Sequence, residues 1–397
     1  MAKEKLDKLF NPRTIAVIGA TSKEGHVGYS LMKNLIGSGF DGIIYPINPK
    51  RDSVQGVKAY PSVNAAPDKI DLAIIATPAN TVPAIVEECG KAGVSGIVII
   101  SSGFKEAGIE GEKMCDQILE SARKYDMRVI GPNCLGFIKP SLKLNASFAN
   151  KMALPGNIAF ISQSGALGTA ILDWSVKQNV GLSHFVSIGS MIDVGFHDLI
   201  DYFGSDPGTS SILIYMESLT NARKFLSAAR AFSRMKPIIV LKAGKSLEGS
   251  KAAMSHTGTL TGNDAAFDAA FRRAGVVRVS TIGELFDSAQ TLSMQKRPLG
   301  NRLVIVTNAG GPGVIATDYL IGHGGELATL SDETMRKLNE VLPSNWSKSN
   351  PVDVLGDADA YKYKKAVECC IDDQGVDGVL VILTPQAVTD AAAIAKD

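Results

Sequence analysis

A repeated alternation of short apolar runs and longer helix-like segments most constrains how this 397-residue chain can fold. The first run, Thr14–Ile18, is almost wholly apolar and leads into Gly19, which is typical of a strand buried on both faces. Because strands that alternate with helices of ten or more residues form βαβ units, the pattern predicts an α/β protein with parallel sheets covered by helices. Further runs lie at 42–47, 70–76, 96–101, 128–130, 156–161, 181–188, 211–216, 237–242, 276–279, 302–307 and 378–383.

The positions of these runs predict three doubly wound α/β domains, because the chain is too long for one ordinary core. We place the first domain over residues 1–145 and the second over 146–297. The third, 298–397, follows a polar junction that contains proline and glycine. It has too few strands for a complete doubly wound domain, so we expect it to be truncated.

The charges are balanced, with 41 basic and 40 acidic residues, which argues against a nucleic-acid or membrane surface as partner. No apolar run is long enough to span a bilayer, and the N-terminal residues lack the apolar core of a secretory signal. The five cysteines form no C-x-x-C pair, and an odd count argues against a disulfide framework. We therefore expect a cytoplasmic protein without a metal site.

Residues 19–28 form a glycine-containing loop between the first strand and a helix, a setting in which backbone N–H groups hold a phosphate. The loop is not G-x-G-x-x-G, since Thr21 and Ser22 stand where the second glycine would be. Lys50 and Arg51 follow the second strand, where an NAD-binding protein would carry Asp or Glu. Two basic residues suit a phosphorylated ribose, which NADP and coenzyme A both contain. A structural turn with solvent-facing basic residues is the alternative.

Two more glycine-containing turns follow strands, at 131–136 and 161–168. The first begins with Gly-Pro, which predicts a tight loop at the carboxyl end of a strand, where open α/β sheets bind ligands. Cys134 in this loop has no neighbouring His or Lys, so we expect a structural thiol rather than a nucleophile. The second turn offers hydroxyls, glycine N–H groups and a helix start without acidic residues, which favours a phosphate. A serine-capped helix start would account for Ser162 and Ser164 but not for the glycines.

His256 lies in the segment 252–262 among small, hydroxyl-bearing and glycine residues. Such residues let a ligand approach the imidazole closely, so His256 is a candidate nucleophile, although a structural histidine is the general alternative. Glu217 follows a strand, where a carboxylate can orient an imidazole and stabilise its positive charge. A solvated carboxylate is the alternative there. Asp193, in another glycine-flanked loop, is a weaker candidate.

Taken in order, these motifs resemble the α-subunit, or N-terminal half, of the NDP-forming acyl-CoA synthetases. This group includes the ADP-forming acetate–CoA ligases and is related to succinyl-CoA synthetase. The resemblance covers essentially the whole chain and implies a Rossmann-like CoA-binding domain followed by two flavodoxin-like domains. The motifs that carry it are the loop 19–28, residues 48–50, 131–134 and 162–165, Glu217, and residues 255–258.

The resemblance implies a reaction in which acyl-CoA and phosphate give an acyl phosphate and free CoA. The phosphoryl group then passes to a histidine and on to ADP. The histidine would be His256, and Glu217 would orient and stabilise it. The phosphate-binding positions implied are Ser162, Gln163, Ser164 and Gly165. The CoA-binding positions implied are Gly19, Ala20, Thr21, Ser22, Gly28, Asn48, Lys50, Thr77, Pro78, Asn133 and Cys134.

A nucleotide-binding module is missing from the sequence, which has no G-x-x-x-x-G-K-[ST] loop and no segment that resembles the ATP-grasp module of this group. ADP or ATP and Mg²⁺ are therefore expected to bind to an ATP-grasp β-subunit or to a fused C-terminal half. We expect the chain to act in a hetero-oligomer, on a small carboxylic acid or its acyl-CoA.

Two other functions remain open at this point. The first domain alone is also consistent with an NADP-dependent oxidoreductase, which would leave the other domains and the histidine segment unexplained. A non-catalytic CoA-binding regulator is the second, and the presence of both His256 and Glu217 argues against it.

Overall fold

The computed structural model describes residues 2–246, 248–251, 263–294 and 298–396. The chain divides into two compact units, Met1–Gln295 and Lys296–Asp397. The predicted α/β class with parallel sheets is confirmed in both units. The division into three domains stays a prediction.

The strands of the first unit begin and end close to the predicted apolar runs, and Thr14–Ile18, Arg128–Ile130 and Ser211–Met216 match them residue for residue. Its strands are β1 Thr14–Ile18, β2 Ile43–Ile47, β3 Ser53–Val54, β4 Val57–Lys58, β5 Leu72–Ile75, β6 Gly96–Ile99, β7 Arg128–Ile130, β8 Gly136–Lys139, β9 Leu144–Ser147, β10 Pro155–Ser162, β11 Leu182–Ser187, β12 Ser211–Met216, β13 Ile238–Lys242 and β14 Val277–Val279. Its helices are α1 Ala2–Phe10, α2 Val27–Gly37, α3 Val82–Lys91, α4 Ile109–Lys124, α5 Gly165–Lys177, α6 Phe196–Gly204, α7 Ala222–Phe232, α8 Asp264–Ala274 and α9 Ile282–Met294.

The two main sheets of this unit repeat one strand order. The first sheet is parallel with the order β2-β1-β5-β6-β7, and the parallel part of the second has the order β11-β10-β12-β13-β14. In each of these orders the strand that comes first along the chain, β1 or β10, stands second. The chain adds the next strand of the sheet on one side of it and the later strands on the other side, which creates a topological switch point. Ligands of open α/β sheets bind at the carboxyl ends of the strands that flank such a switch point.

A hairpin of β8 and β9 extends the second sheet on its β11 edge. β8 pairs antiparallel with β11, so that Phe137 and Ile138 lie opposite Val186 and Phe185. The sequence analysis predicted no strand here, because the runs are short and partly polar. One buried cluster contains side chains of both sheets, such as Val17 and Ile161, and joins them into one body.

The second unit is a small parallel sheet with helices. β15 is its central strand and pairs with β16, β17 and β18. Ser331 caps the helix Asp332–Val341, since its hydroxyl accepts a hydrogen bond from the Thr334 N–H. The strands are β15 Arg302–Thr307, β16 Glu326–Leu327, β17 Val352–Asp353 and β18 Gly378–Ile382, and the helices are α10 Gly310–Gly322, α11 Asp332–Val341, α12 Ala360–Ile371 and α13 Ala391–Lys396.

Candidate functional site

A cavity of about 620 Å³ in the first unit lies where the carboxyl ends of the strands of both sheets meet. This volume falls in the range of small-molecule sites. The cavity brings together residues that are far apart in the sequence and that were predicted separately as CoA-binding and phosphate-binding. The predicted residues that line it are Thr77, Pro78, Asn133, Cys134, Gln163, Ser164, Gly165 and Glu217.

The first glycine loop lies at the switch point of the first sheet, beside the turn that follows β5. Gly19 has a φ of +92°, and a Cβ at this position would come within 2.7 Å of the Ala76 carbonyl oxygen. A Cβ on Gly28 would lie 2.1 Å from the Gly19 oxygen, so the start of α2 can pack against the loop only with glycine there. The Asn48 side chain donates to the Ala20 oxygen over 2.8 Å and ties the end of β2 to the loop.

Other predicted CoA-binding residues lie in this loop and its neighbour, but they do not line the cavity. The Ser22 hydroxyl accepts a hydrogen bond from the Gln55 N–H, and the Thr21 hydroxyl accepts one from the Lys23 N–H. Lys50 and Arg51 are exposed beyond β2. The remaining predicted positions outside the cavity lining are Gly19, Ala20, Gly28 and Asn48.

The turn after β7 forms one wall of the cavity. Asn133 has a φ of +56° and is exposed to the cavity side, whereas Cys134 is buried. The Cys134 thiol donates to the Ile99 oxygen over 3.3 Å. Burial raises the pKa of Cys134 to about 12, so the thiolate is scarce at neutral pH. The geometry agrees with the structural thiol expected from the sequence.

The turn after β10 forms another part of the cavity wall, at the switch point of the second sheet. Ser164 caps α5, and its hydroxyl accepts from the Leu167 N–H over 3.3 Å. The buried Ser162 hydroxyl donates to the Ser164 carbonyl, so Ser162 shapes the turn without lining the cavity. Together with Gly165, these residues direct the positive end of a 13-residue helix towards the cavity, an arrangement that favours an anion.

Gln163 joins this turn to the end of β12. Its side-chain oxygen accepts hydrogen bonds from the N–H groups of Glu217 and Ser218, over 2.8 and 2.9 Å, and its amide nitrogen donates to the Ser218 hydroxyl over 2.7 Å. The amide is therefore satisfied within the protein, and its effect is to hold Glu217 beside the helix start. The sequence analysis did not identify Ser218, although its position directly after Glu217 was a signal.

Glu217 is 6% exposed and lines the cavity, so it is not the solvated carboxylate that the alternative interpretation described. Its charge acts on Tyr215, two residues earlier on the same strand. Burial, together with the Glu217 carboxylate, raises the pKa of Tyr215 to about 12. A carboxylate held in a largely buried wall can act strongly on a cation or an imidazole brought against it.

His256 lies outside the described residues, as does the rest of the segment 252–262. Lys242 ends β13 upstream of that segment, pairs in register with Met216, and is 1% exposed. Its ammonium donates to the Ala243 oxygen over 2.5 Å and lies 4.7 Å from the centre of the Phe267 ring. Burial lowers the pKa of Lys242. The sequence analysis did not single out this buried cation.

Several further lining residues were not predicted as site residues. Gly189, Ser190 and Met191 come from the loop after β11, and Phe148 from the segment after β9. Asp193, the weaker candidate, does not line the cavity and instead binds Arg128.

Two family models match the first unit. The CoA binding domain matches residues 13–140, and the succinyl-CoA ligase like flavodoxin domain matches residues 155–292. The fold and the cavity therefore belong to the class of CoA-binding, ligase-type α/β proteins.

Relatives and a solved structure resemble nearly the whole chain. The α-subunit of acetate–CoA ligase [ADP-forming] I from Pyrococcus furiosus is 45% identical over 98% of this chain and 85% of its own length. Acetate–CoA ligase [ADP-forming] I from Archaeoglobus fulgidus is 47% identical over 97% of this chain and 56% of its own length. The dinucleotide forming acetyl-coenzyme A synthetase 1 of Ca. Korarchaeum cryptofilum, solved with phosphate and ADP, is 39% identical, with a TM-score of 0.92 over 98% of this chain and 84% of that one.

The chain belongs to the family of ADP-forming acetate–CoA ligases, the acyl-CoA synthetases, and corresponds to their α part. It spans most of a separate α-subunit but little more than half of the Archaeoglobus fulgidus relative. Among the described residues, no helix combines the length and apolar character needed to cross a bilayer.

Proposed function

We propose that this chain is the α part of an NDP-forming acyl-CoA synthetase that converts acyl-CoA, phosphate and ADP into a carboxylic acid, CoA and ATP. The observation that carries the proposal is the shared cavity. Asn133 and Thr77 from the CoA-binding region line the same cavity as Ser164 and Glu217 from the ligase-like region. A thioester carried on CoA can thus meet a phosphate without leaving the first unit.

The first chemical step joins phosphate to the acyl group. A phosphate oxygen attacks the thioester carbonyl carbon, the C–S bond breaks, and CoA leaves as a thiolate that is then protonated. Ser164 and Gly165 at the start of α5 hold the anionic phosphate, while Asn133 and the turn after β5 hold the CoA arm. Holding both reactants in one geometry is a large part of the rate advantage in such a step.

The second step moves the phosphoryl group to His256. An imidazole nitrogen attacks the phosphorus, the bond to the acyl oxygen breaks, and the carboxylate leaves. The ring gains positive charge as it attacks, and Glu217 stabilises that charge and orients the other ring nitrogen. The clamp by Gln163 keeps Glu217 beside the helix start, so the same wall serves the phosphate and the imidazole.

The third step transfers the phosphoryl group from His256 to ADP on an ATP-grasp partner, either a β-subunit or a fused C-terminal half. The Pyrococcus furiosus relative is an α-subunit by name, and this chain aligns with 85% of it. Mg²⁺ and the nucleotide bind to that partner in our proposal. We place the assembly in the cytoplasm, where the five free cysteines would remain reduced.

Phosphorylation of His256 tests this function. The full chain is mixed with its ATP-grasp partner, Mg²⁺ and γ-labelled ATP, and acid-labile, base-stable phosphate on this chain is measured. We expect labelling that disappears in His256→Ala and persists in the control His323→Ala, which changes an exposed histidine of the second unit. Equal labelling of wild type and His256→Ala would overturn the assignment.

A titration of CoA against NADPH separates this function from the oxidoreductase alternative. We expect CoA to bind, since the cavity joins the turns after β5 and β7 in the first sheet to a phosphate-type helix start in the second. Binding of NADPH without binding of CoA would refute the proposal.

A further inference from the structure

Arg128 links the two sheets of the first unit through a pair of carboxylates. It is the first residue of β7 in the first sheet, and its Nε donates to Asp193 over 2.9 Å. Its Nη2 donates to Asp198, at the start of α6, over 2.9 Å. The two aspartates come from the segment that leaves the second sheet after β11. The guanidinium therefore joins an element of one sheet to a loop of the other.

This linkage is largely buried, and both of its carboxylates accept further hydrogen bonds from the backbone. The Arg128 side chain is 13% exposed, and the Asp193 and Asp198 side chains are 24% and 16% exposed. Asp193 also accepts the Val129 N–H over 2.8 Å, and Asp198 accepts the Gly195 N–H over 3.0 Å. A guanidinium that binds two carboxylates at once fixes both the position and the orientation of the two aspartates. A lysine ammonium, which is a single point charge, does this less well.

The loop held by Arg128 is part of the cavity wall. Gly189, Ser190 and Met191 line the cavity, immediately before Asp193 in the chain. The Ser190 N–H donates to the Pro132 oxygen over 2.9 Å, which places the loop directly on the turn that carries Asn133. Gly189 has a φ of +52°, and a Cβ there would lie 2.2 Å from the Pro132 oxygen, so the contact is close.

Two further hydrogen bonds continue this contact down β7 to Arg128. The Ile192 N–H donates to the Gly131 oxygen over 3.3 Å, and the Val194 N–H donates to the Val129 oxygen over 3.1 Å. The loop thus lies along β7 from the cavity wall to the guanidinium. Loss of the guanidinium would leave two neighbouring carboxylates to repel each other at the lower end of this contact.

We propose that Arg128 is a positioning residue for the acyl-transfer step. This role rests on the function proposed above. Through the loop that leads to Asp193, Arg128 sets the spacing between the CoA-binding turn after β7 and the phosphate-binding start of α5. In this proposal Arg128 has no part in the later transfer between His256 and the nucleotide, because CoA takes no part in that step. The two half-reactions should therefore respond differently to its removal.

The test compares Arg128→Met and Arg128→Lys with wild type, each as the full chain with its ATP-grasp partner. Two rates are measured: labelling of the histidine from ATP, and the complete CoA-dependent reaction with its kcat and its KM for CoA. We expect kcat/KM for CoA to fall roughly 10- to 100-fold in Arg128→Met, the scale on which small misplacements of reacting groups act. Labelling from ATP should stay within about twofold, and Arg128→Lys should recover part of the loss.

Arg278→Met is the matched control, because Arg278 is also 13% exposed and also binds two aspartates, Asp264 and Asp268, without lining the cavity. It should lower the unfolding temperature to a similar degree and leave the KM for CoA unchanged. Equal losses of labelling and of CoA-dependent turnover in folded Arg128→Met, or no loss in either, would overturn the positioning role. If Arg128→Met does not fold, Arg128→Lys decides, and an unchanged kcat/KM for CoA in that variant would overturn the role as well. Absence of labelling in wild type would instead refute the proposed function.

Discussion

Two turns of this molecule have the same backbone arrangement and different chemistry. The turn after β10 in the first unit and the turn after β15 in the second both lead from a buried strand into a helix. In each, a strand-end hydroxyl donates to the carbonyl two residues later, from Ser162 to Ser164 and from Thr307 to Ala309. In each, the next residue is an amide that bonds to the end of a neighbouring strand.

The amides make closely similar bonds. Gln163 accepts from the N–H groups of Glu217 and Ser218, and Asn308 accepts from the Thr384 N–H over 2.8 Å while donating to the Thr384 oxygen over 2.9 Å. The difference lies in the side chains added to this frame. The first turn has Ser164 and is clamped to Glu217, whereas the second has Ala309, and Leu383 directly precedes Thr384.

A strand, a glycine-containing turn and a helix therefore form a scaffold rather than a site. In both units the polar groups of the turn form hydrogen bonds within the protein, as buried polar groups generally do. In the first unit the turn carries the Ser164 hydroxyl and is bonded to Glu217, and both residues line the cavity. Variants of Glu217, of the two amides and of the two capping residues test this comparison.

The largest effect is expected from Glu217→Gln. Loss of the carboxylate removes the charge that stabilises the attacking imidazole, so formation of phosphohistidine should slow roughly 100-fold or more, as for other carboxylates that orient a catalytic histidine. The affinity for CoA should stay within about twofold of wild type, since nothing in this change removes a CoA contact. Labelling from ATP and a CoA titration measure the two quantities. A large loss of CoA binding would mean that Glu217 acts in a different part of the cavity.

A smaller effect is expected from the paired variants Gln163→Ala and Asn308→Ala. Gln163→Ala leaves the buried N–H groups of Glu217 and Ser218 without an acceptor, which costs about 1–3 kcal/mol for each group. Asn308→Ala leaves the part-buried Thr384 N–H without its acceptor. Both variants should therefore unfold at lower temperature. Only Gln163→Ala should also reduce histidine labelling, because only Gln163 holds a carboxylate at the cavity. If Asn308→Ala reduces labelling to the same extent, the clamp is a stability feature in both units and has no separate catalytic effect.

The smallest effect is expected from exchanging the capping residues. Ser164→Ala removes a helix cap and should lower the free energy of unfolding by about 1 kcal/mol, and Ala309→Ser should stabilise the second unit by a similar or smaller amount. Thermal unfolding of both variants checks the signs. The KM for phosphate should rise in Ser164→Ala and stay unchanged in Ala309→Ser. Unchanged phosphate kinetics in Ser164→Ala would show that the helix start holds the anion through backbone groups alone.

Local sequence patterns predicted much of the fold. Runs such as Ser211–Met216 and Arg302–Thr307 were predicted residue for residue, because both faces of these strands are buried and the apolar run is continuous. The hairpin of β8 and β9 was missed for the opposite reason. It lies at a sheet edge, its runs are short, and its pairing with β11 depends on a strand that lies far along the chain.

The sequence predicted the separate motifs of the candidate site, but it did not predict that they line one cavity. The turn pattern singled out Gly28. Only the structure shows why glycine is required there, because a Cβ on Gly28 would lie 2.1 Å from the Gly19 oxygen. Arg128 and Asp193 gave no local signal of a pair, since 65 residues separate them along the chain. That Gln163 binds phosphate stays a prediction, and no signal in the sequence indicated that its side-chain amide bonds to the end of β12.

The sequence by itself determined the class of fold and most of the buried parallel strands with their carboxyl-end turns, because apolar runs and glycine turns are local features. The family followed from the resemblance of the ordered motifs to a known group. Only the tertiary structure decided that Asn133 and Glu217 share a cavity and that Glu217 is buried there. It also showed that the turn after β10 lines this cavity. The physical reason is that burial, electrostatic coupling and hydrogen-bond satisfaction depend on which strand ends meet in space.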